Sequence, residues 1–297
     1  MSSLKLSGVY TALVTPFKEG KVDFDAYGKL IDAQAAAGIT GIIPAGTTGE
    51  CATLTSAEHI EVIRFAVEKA AGRLEVVAGT GANSTSEAID LTAEAESAGA
   101  HGTLQVTPYY NKPNQEGLFQ HFKAIADSTK MEVMLYSVPG RCAVEIEPET
   151  AARLAAACSN ITSIKEAGGE VDRVPALVSA LPEEMAVLSG DDPLTLDFMK
   201  FGATGVVSVA ANVIPSIMVA MVTAMQSGNE SEARQILSNN EGIISGLMAL
   251  DSNPIPVKAA LAEIGLIEDE IRLPLTSLTG PARQQLRSLL KEAGLIQ

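Results

Sequence analysis

Short runs rich in valine, isoleucine and threonine alternate with longer segments of helical period through most of this chain, and that alternation limits the fold more than any other feature. Eight such runs can be counted: Val9 to Val14, Gly41 to Pro44, Glu75 to Ala78, Gly102 to Thr107, Val133 to Tyr136, Ile161 to Ile164, Ala186 to Ser189 and Gly205 to Val209. Helical stretches lie between them, among them Asp23 to Ala37, Ser56 to Ala71, Ser84 to Ala98 and Gln115 to Ser128. Strictly alternating β and α elements imply parallel strands joined by helical crossovers. Eight repeats favour closure into an α/β, (β/α)8 TIM barrel, a fold of about 250 residues, over an open sheet. With 297 residues available, the barrel is expected over residues 1–228 and a C-terminal helical extension over 229–297.

Composition agrees with a tightly packed enzyme-sized body. Hydrophobic residues make up 46% and aromatics only 4%, with no tryptophan, so the core is aliphatic. With 36 acidic against 21 basic side chains the formal charge is -15, which opposes binding to a nucleic-acid backbone or an anionic membrane. An anionic substrate then needs a local cation. Cys51, Cys142 and Cys158 form no even-numbered framework and no CxxC pair, as suits the reducing cytoplasm. The segment from Met1 to Phe17 has no sustained apolar region and is expected not to be a signal peptide. Gly205 to Met225 is the one membrane-like stretch, but Asn212, Pro215 and two serines interrupt it, and it divides better into a strand and a buried helix.

In a barrel of this kind the active site lies at the C-terminal strand ends. Those ends carry Thr15-Pro16, Gly46-Thr47-Thr48-Gly49-Glu50, Gly79-Thr80-Gly81, Pro108-Tyr109-Tyr110-Asn111, Tyr136 with Arg141, Lys165, and Gly190-Asp191-Asp192. Lys165 follows the run Ile161-Thr162-Ser163-Ile164 and precedes the turn-prone Glu166-Ala167-Gly168-Gly169. A lysine ending a buried strand either snorkels to water or has a depressed pKa, as a nucleophile toward carbonyls requires. Its convergence with hydroxyls and an arginine on one rim favours the second.

Several segments together carry a family resemblance over nearly the whole chain: GTTGE at Gly46 to Glu50, TPYYN at Thr107 to Asn111, YSVPGR at Tyr136 to Arg141, IKEAGG at Ile164 to Gly169, SGDD at Ser189 to Asp192 and NPIPVK at Asn253 to Lys258. The sequence resembles the 4-hydroxy-tetrahydrodipicolinate synthase (dihydrodipicolinate synthase) family, within the pyruvate-dependent class I aldolases that include N-acetylneuraminate lyase. GTTGE and the tyrosine-lysine pair mark the superfamily, whereas TPYYN and the arginine closing YSVPGR mark the synthases.

The resemblance implies that Lys165 forms a Schiff base with pyruvate, an electron sink for enamine formation. An amine attacking a ketone must be neutral, and loss of the carbinolamine hydroxyl needs a proton donor, which Tyr136 can supply. In the family that phenol is linked through a threonine, here Thr47, to Tyr110 of the partner subunit as a proton relay. Taken singly, Thr47 reads as a helix cap and the tyrosines as packing residues. Thr48 would hold the pyruvate carboxylate, Val207 matches a position whose backbone contacts pyruvate, and Gly190 counts with the substrate-binding positions. Arg141 supplies a planar fork for the carboxylate of L-aspartate 4-semialdehyde, with a surface salt bridge as its alternative. The product would enter lysine and diaminopimelate biosynthesis.

No cofactor is expected. GTGANS at Gly79 to Ser84 lacks the full GxGxxG spacing of a dinucleotide site. Asp191-Asp192 invites a metal, but His59, His101 and His121 are scattered and make no ligand set with them. These aspartates read better as a helix N-cap. Three positions depart from the family pattern: Ser137 for asparagine, Cys142 for threonine and Gly168 for threonine. The family's allosteric cleft maps to Cys51, Ala52, Ser56, His59, Asn83, Glu87 and Tyr109. His59, Asn83, Glu87 and Tyr109 resemble the lysine-sensitive type, whereas Ser56 and Cys51 depart from it, so L-lysine is a candidate inhibitor. A crossing Tyr110 would require a dimer, which the family usually doubles to a homotetramer. Two alternatives stay open: another pyruvate aldolase, such as a sialate or keto-deoxy sugar-acid lyase, and a catalytically silent binding member of the same fold.

Overall fold

A computed structural model of the chain describes residues 6–297. The first five residues of the segment expected to lack a signal peptide lie outside the described residues. The strands are β1 (Gly8–Ala12), β2 (Phe17–Lys18), β3 (Lys21–Val22), β4 (Gly41–Ile43), β5 (Glu75–Gly79), β6 (Gly102–Val106), β7 (Glu132–Ser137), β8 (Ile161–Glu166), β9 (Ala186–Ser189) and β10 (Gly205–Ser208). Eight of them close into a barrel in the order β1-β10-β9-β8-β7-β6-β5-β4, and β2 pairs with β3 alone. The barrel registers are parallel, as between Tyr136 and Lys165 and between Lys165 and Leu188. Each barrel strand falls within two or three residues of its expected bounds. Lys165 does not end its strand, however: β8 continues through Glu166, which pairs with both Ser137 and Ser189.

The helices are α1 (Phe24–Ala36), α2 (Ser56–Ala70), α3 (Thr85–Ser97), α4 (Gln115–Asp127), α5 (Pro139–Cys142), α6 (Pro148–Ala157), α7 (Arg173–Ala180), α8 (Thr195–Lys200), α9 (Pro215–Gln226), α10 (Glu230–Ala249), α11 (Ile255–Glu263) and α12 (Gly280–Glu292). Their starts follow from capping chemistry. Asp23, Ser84, Asn114 and Asn229 each accept a first-turn N–H, and Thr55 with Glu58 forms a reciprocal capping box. α10, α11 and α12 are the expected extra helices after the barrel. The stretch from Gly205 divides into β10, a short 3-10 turn and α9, and no helix among the described residues is long and apolar enough to cross a membrane.

Two compact units are distinguished by their internal contacts among the described residues: Val76–Val207 with residues 6–8, and Val9–Glu75 with Ser208–Gln297. In the first, Leu118, Phe122 and Ile125 of α4 and Leu154 of α6 pack with Val133, Leu135, Ile164 and Val187. That cluster holds the helix-facing residues of β7, β8 and β9, so strand alternation turns Tyr136, Lys165 and Leu188 to the barrel interior. In the second, Tyr27, Leu30 and Ile31 of α1, Val62 and Ile63 of α2, Ile244 and Leu247 of α10 and Leu286 and Leu290 of α12 are all buried.

Candidate active site

Lys165 is held at the C-terminal end of β8 with only 5% of its surface exposed. The close approach of Gly190 is what leaves room for its chain: a Cβ on that glycine would stand 2.9 Å from Lys165 Cε and 2.6 Å from Ala167 Cβ. The Gly190 N–H donates to the Glu166 carbonyl at 2.7 Å, which fixes this close approach. Lys165 Nζ sits 4.3 Å from the centroid of the Tyr136 ring. Burial is the main cause of a Lys165 pKa lowered from 10.5 to about 8; Arg141 adds to that lowering and Asp192 opposes it. The amine is therefore neutral in a useful fraction of molecules near neutral pH, as a carbonyl nucleophile must be.

The first unit also carries several other expected residues. Val207, near the end of β10, is wholly buried. Arg141 is exposed on the single turn of α5. Ser137 is buried and its Oγ accepts the Ile146 N–H at 3.3 Å. Cys142 is buried and free. Gly168 donates its N–H to Glu166 Oε1 at 2.7 Å, and a Cβ at this position would come 2.7 Å from that same oxygen. The departure from threonine thus leaves room for a carboxylate.

Asp191 and Asp192 are not at a helix N-cap, contrary to expectation. α8 starts later, at Thr195, with Leu194 in the capping position and no side-chain cap. Burial pushes the Asp191 carboxyl up while the Leu194 backbone N–H opposes it, and Asp192 is 1% exposed. Tyr110, in contrast, points to solvent with 91% exposure and a left-handed φ of 68°, and Tyr109 is 42% exposed.

The second unit holds the Gly46–Glu50 loop. Its turn is closed by Glu50 N–H to the Thr47 carbonyl at 3.1 Å and by Cys51 N–H to the Gly46 carbonyl at 3.2 Å. Thr47 is half-buried and caps no helix, because α2 is capped by Thr55. Thr48 is buried, and Asn253 Nδ2 donates to its Oγ1 at 2.9 Å. Gly49 has no space for a side chain: a Cβ would meet Ala45 N at 3.0 Å and the Leu13 carbonyl at 3.1 Å. Glu50, at φ 56°, is buried against Lys258 and accepts the Arg272 N–H at 3.1 Å.

Of the residues mapped to an effector cleft, Cys51, Ala52, Ser56 and His59 belong to the second unit, and Asn83, Glu87 and Tyr109 to the first. His59 is buried in α2, Glu87 is exposed in the first turn of α3, and the Asn83 carbonyl accepts from Asn111 Nδ2 at 2.9 Å. Three partners had no role assigned from the sequence: Asn253 and Lys258, although NPIPVK contains both, and Arg173, which pairs with Glu166 at 2.9 Å. Only the first two had a signal that could have revealed them.

Residues 5–293 match the dihydrodipicolinate synthetase family. The chain belongs to this family. A 4-hydroxy-tetrahydrodipicolinate synthase of Endomicrobium trichonymphae is 47% identical over 291 residues, covering 98% of this chain and 99% of the relative. A solved chloride-inhibited dihydrodipicolinate synthase from Acinetobacter baumannii, complexed with pyruvate, superposes with a TM-score of 0.95 at 46% identity, covering 98% of this chain and 99% of that one. The dihydrodipicolinate synthase from Cyanidioschyzon merolae, solved with lysine bound, gives a TM-score of 0.94 at 42% identity, again with 98% and 99% covered. With family members matched almost end to end, the barrel and its elaborations are those of the family.

Proposed function

We propose that the chain condenses pyruvate with L-aspartate 4-semialdehyde to give 4-hydroxy-tetrahydrodipicolinate, in the biosynthesis of lysine and diaminopimelate. The observation that carries this reading is a buried lysine amine, with its pKa lowered to about 8, lying against the ring of a tyrosine. The near-complete match to synthases and the pyruvate complex of the Acinetobacter relative support the substrate class.

The chemistry follows from what each group can do. Neutral Lys165 adds to the pyruvate ketone, and the carbinolamine loses water as the Tyr136 phenol protonates its hydroxyl. The imine accepts the electron pair released when a methyl proton leaves, and the enamine carbon attacks the aldehyde of the second substrate. That substrate's amine then displaces Lys165, closing the ring and freeing the lysine for another cycle. Thr48 serves the pyruvate carboxylate, Gly190 and Val207 shape the pocket around the reacting carbon, and Arg141 takes the carboxylate of the second substrate through a bidentate fork.

Thr47 and Tyr110 of the partner subunit extend the proton path from Tyr136 in this reading. The 91% exposure of Tyr110 supports its use by a second copy, and hence a homo-oligomer, as a dimer or a dimer of dimers. L-lysine is the proposed inhibitor, at Cys51, Ala52, His59, Asn83, Glu87 and Tyr109, supported by the lysine-bound Cyanidioschyzon relative. Free cysteines suit a cytoplasmic setting.

Borohydride reduction in the presence of pyruvate, followed by peptide mass mapping, tests the mechanism. A stable adduct on Lys165 is expected, and an adduct elsewhere overturns it. Turnover of aspartate semialdehyde compared with cleavage of sialate tests the substrate, and faster cleavage of the sugar acid rejects the synthase reading.

A further inference from the structure

The segment Glu145–Ile146–Glu147 has no regular secondary structure, yet side chains hold four consecutive backbone groups along it. Gln115 Nε2 donates to the Glu145 carbonyl at 2.8 Å, and Gln115 Oε1 accepts the Glu147 N–H at 3.2 Å. Ser137 Oγ accepts the Ile146 N–H at 3.3 Å, and Arg173 Nη2 donates to the Ile146 carbonyl. Buried loop backbone needs partners of some kind, but four from three side chains in so short a span amount to a clamp.

Arg173 is the centre of that clamp. Besides Ile146 it reaches Glu166 Oε2 at 2.9 Å and Glu145 Oε2 at 2.8 Å, with only 12% of its own side chain exposed and none of Glu166's. Glu166 directly follows Lys165, and its second oxygen takes the Gly168 N–H. Burial pushes the Glu166 carboxyl up and the Arg173 charge opposes that rise, so the pair is held together by charge as well as geometry. One guanidinium thus ties the end of β8, immediately beside the imine-forming lysine, to the end of the excursion that begins after β7 and carries Arg141.

We propose that Arg173, with Glu166, Glu145 and Gln115, is a positioning device that sets the Arg141 turn against the end of β8 and so governs capture of the second substrate rather than imine formation. The inference rests on the roles proposed above for Lys165 and Arg141. Lysine could not replace Arg173, because an ammonium can keep the Glu166 charge but cannot also span Glu145 and the Ile146 carbonyl as a planar fork does. Gly168 belongs to the same device, since a side chain there would press on the Glu166 oxygen that its N–H now meets.

The test uses Arg173→Lys and Gln115→Ala, the second of which removes two backbone contacts without touching any charge. For each variant the KM of each substrate is measured, together with the fraction of Lys165 trapped by borohydride with pyruvate. The expected result is a KM for aspartate semialdehyde raised roughly tenfold to a hundredfold, as misplacement of a binding group by about an ångström produces. The pyruvate KM stays within about twofold and trapping is unchanged, so the loss is confined to the second substrate. If Arg173→Lys does not fold, Gln115→Ala decides alone. A folded variant with an unchanged aspartate-semialdehyde KM, or with both KM values raised alike, overturns the clamp while leaving the imine mechanism intact. Failure of the unaltered protein to trap pyruvate at Lys165 overturns both.

Discussion

Lys258 and Glu50 stand 208 positions apart in the chain and form a buried ion pair, their side chains 3% and 1% exposed. Lys258 Nζ also donates to the Thr15 carbonyl at 3.0 Å, and the second Glu50 oxygen takes the Arg272 N–H. Both cations lie against the Phe17 ring, 4.2 and 4.3 Å from its centroid. The α11 lysine therefore fastens the last residue of the Gly46–Glu50 loop.

Removing one partner leaves the other charge buried without its counter-ion. Lys258→Met is expected to cost about 3–5 kcal/mol, read as a lowered urea midpoint with an unchanged slope. Lys258→Met combined with Glu50→Gln is expected to be more stable than the single change, because no unpaired charge then remains. A Lys258→Met protein as stable as the parent would contradict this account.

Lys165 makes a prediction about pH. Its folded value of about 8 lies below the ordinary 10.5, so the neutral amine fraction, and with it the rate of borohydride trapping with pyruvate, should rise about tenfold per unit up to pH 8 and level off above. The linkage has a definite sign. Between pH 8 and 10.5 the unfolded chain holds a proton at this site that the folded chain lacks, so this site's contribution to stability rises with pH through that window. Lys165→Arg, charged at every accessible pH, should trap nothing. A trapping rate flat from pH 6 to 9 would refute the lowered value.

Gly190 leaves the space that the Lys165 chain occupies. In Gly190→Ala the new methyl carbon would stand 2.9 Å from Lys165 Cε and 3.1 Å from the Glu166 carbonyl. The lysine chain must move, and trapping should slow by roughly a hundredfold in a protein whose circular dichroism is unaltered. Trapping at the parent rate would show that the contact does not constrain the nucleophile.

Much of this was legible in the sequence because strand and helix periodicities act locally. Val133-to-Tyr136 and Ile161-to-Ile164 declared themselves by composition, and their C-terminal ends already put Tyr136 and Lys165 on one rim. β8 outran its expected end because Glu166, an unlikely strand residue alone, is neutralised by Arg173, seven positions further on. The Asp191-Asp192 reading failed for a local reason, since Pro193 and Leu194 intervene before α8 begins. Lys258 with Glu50 and Asn253 with Thr48 were beyond reach of any periodicity, because their partners meet only after some 200 residues have folded between them. Left-handed Ala45 and Glu50 gave no signal either, since neither is the glycine that usually marks such a backbone.

Tyr136→Phe separates the phenol from the ring. The aromatic face 4.3 Å from Lys165 Nζ remains, so the amine keeps its surroundings, while the group proposed to protonate the carbinolamine hydroxyl is lost. Turnover should fall by about 10²–10⁴, with the pyruvate KM changed far less. A fall in affinity with kcat preserved would assign the phenol to binding rather than proton transfer.

Asn253 decides which way the Thr48 hydroxyl points. Its Nδ2 donates to Thr48 Oγ1 at 2.9 Å, so the hydroxyl is an acceptor on that side and its own proton is directed elsewhere, toward the anion proposed to bind there. Asn253→Asp reverses this polarity: a carboxylate in the same place accepts the Thr48 proton and adds a negative charge beside a carboxylate substrate. Hydrogen bonds to charged groups contribute about 1.5–3 kcal/mol, so the pyruvate KM should rise roughly tenfold to a hundredfold in Asn253→Asp. In Asn253→Ala, which leaves the Thr48 hydroxyl free to turn, the rise should be smaller. Steady-state kinetics with pyruvate varied and the aldehyde saturating would read the difference, and equal KM values for the two variants would exclude hydroxyl orientation as the function of Asn253.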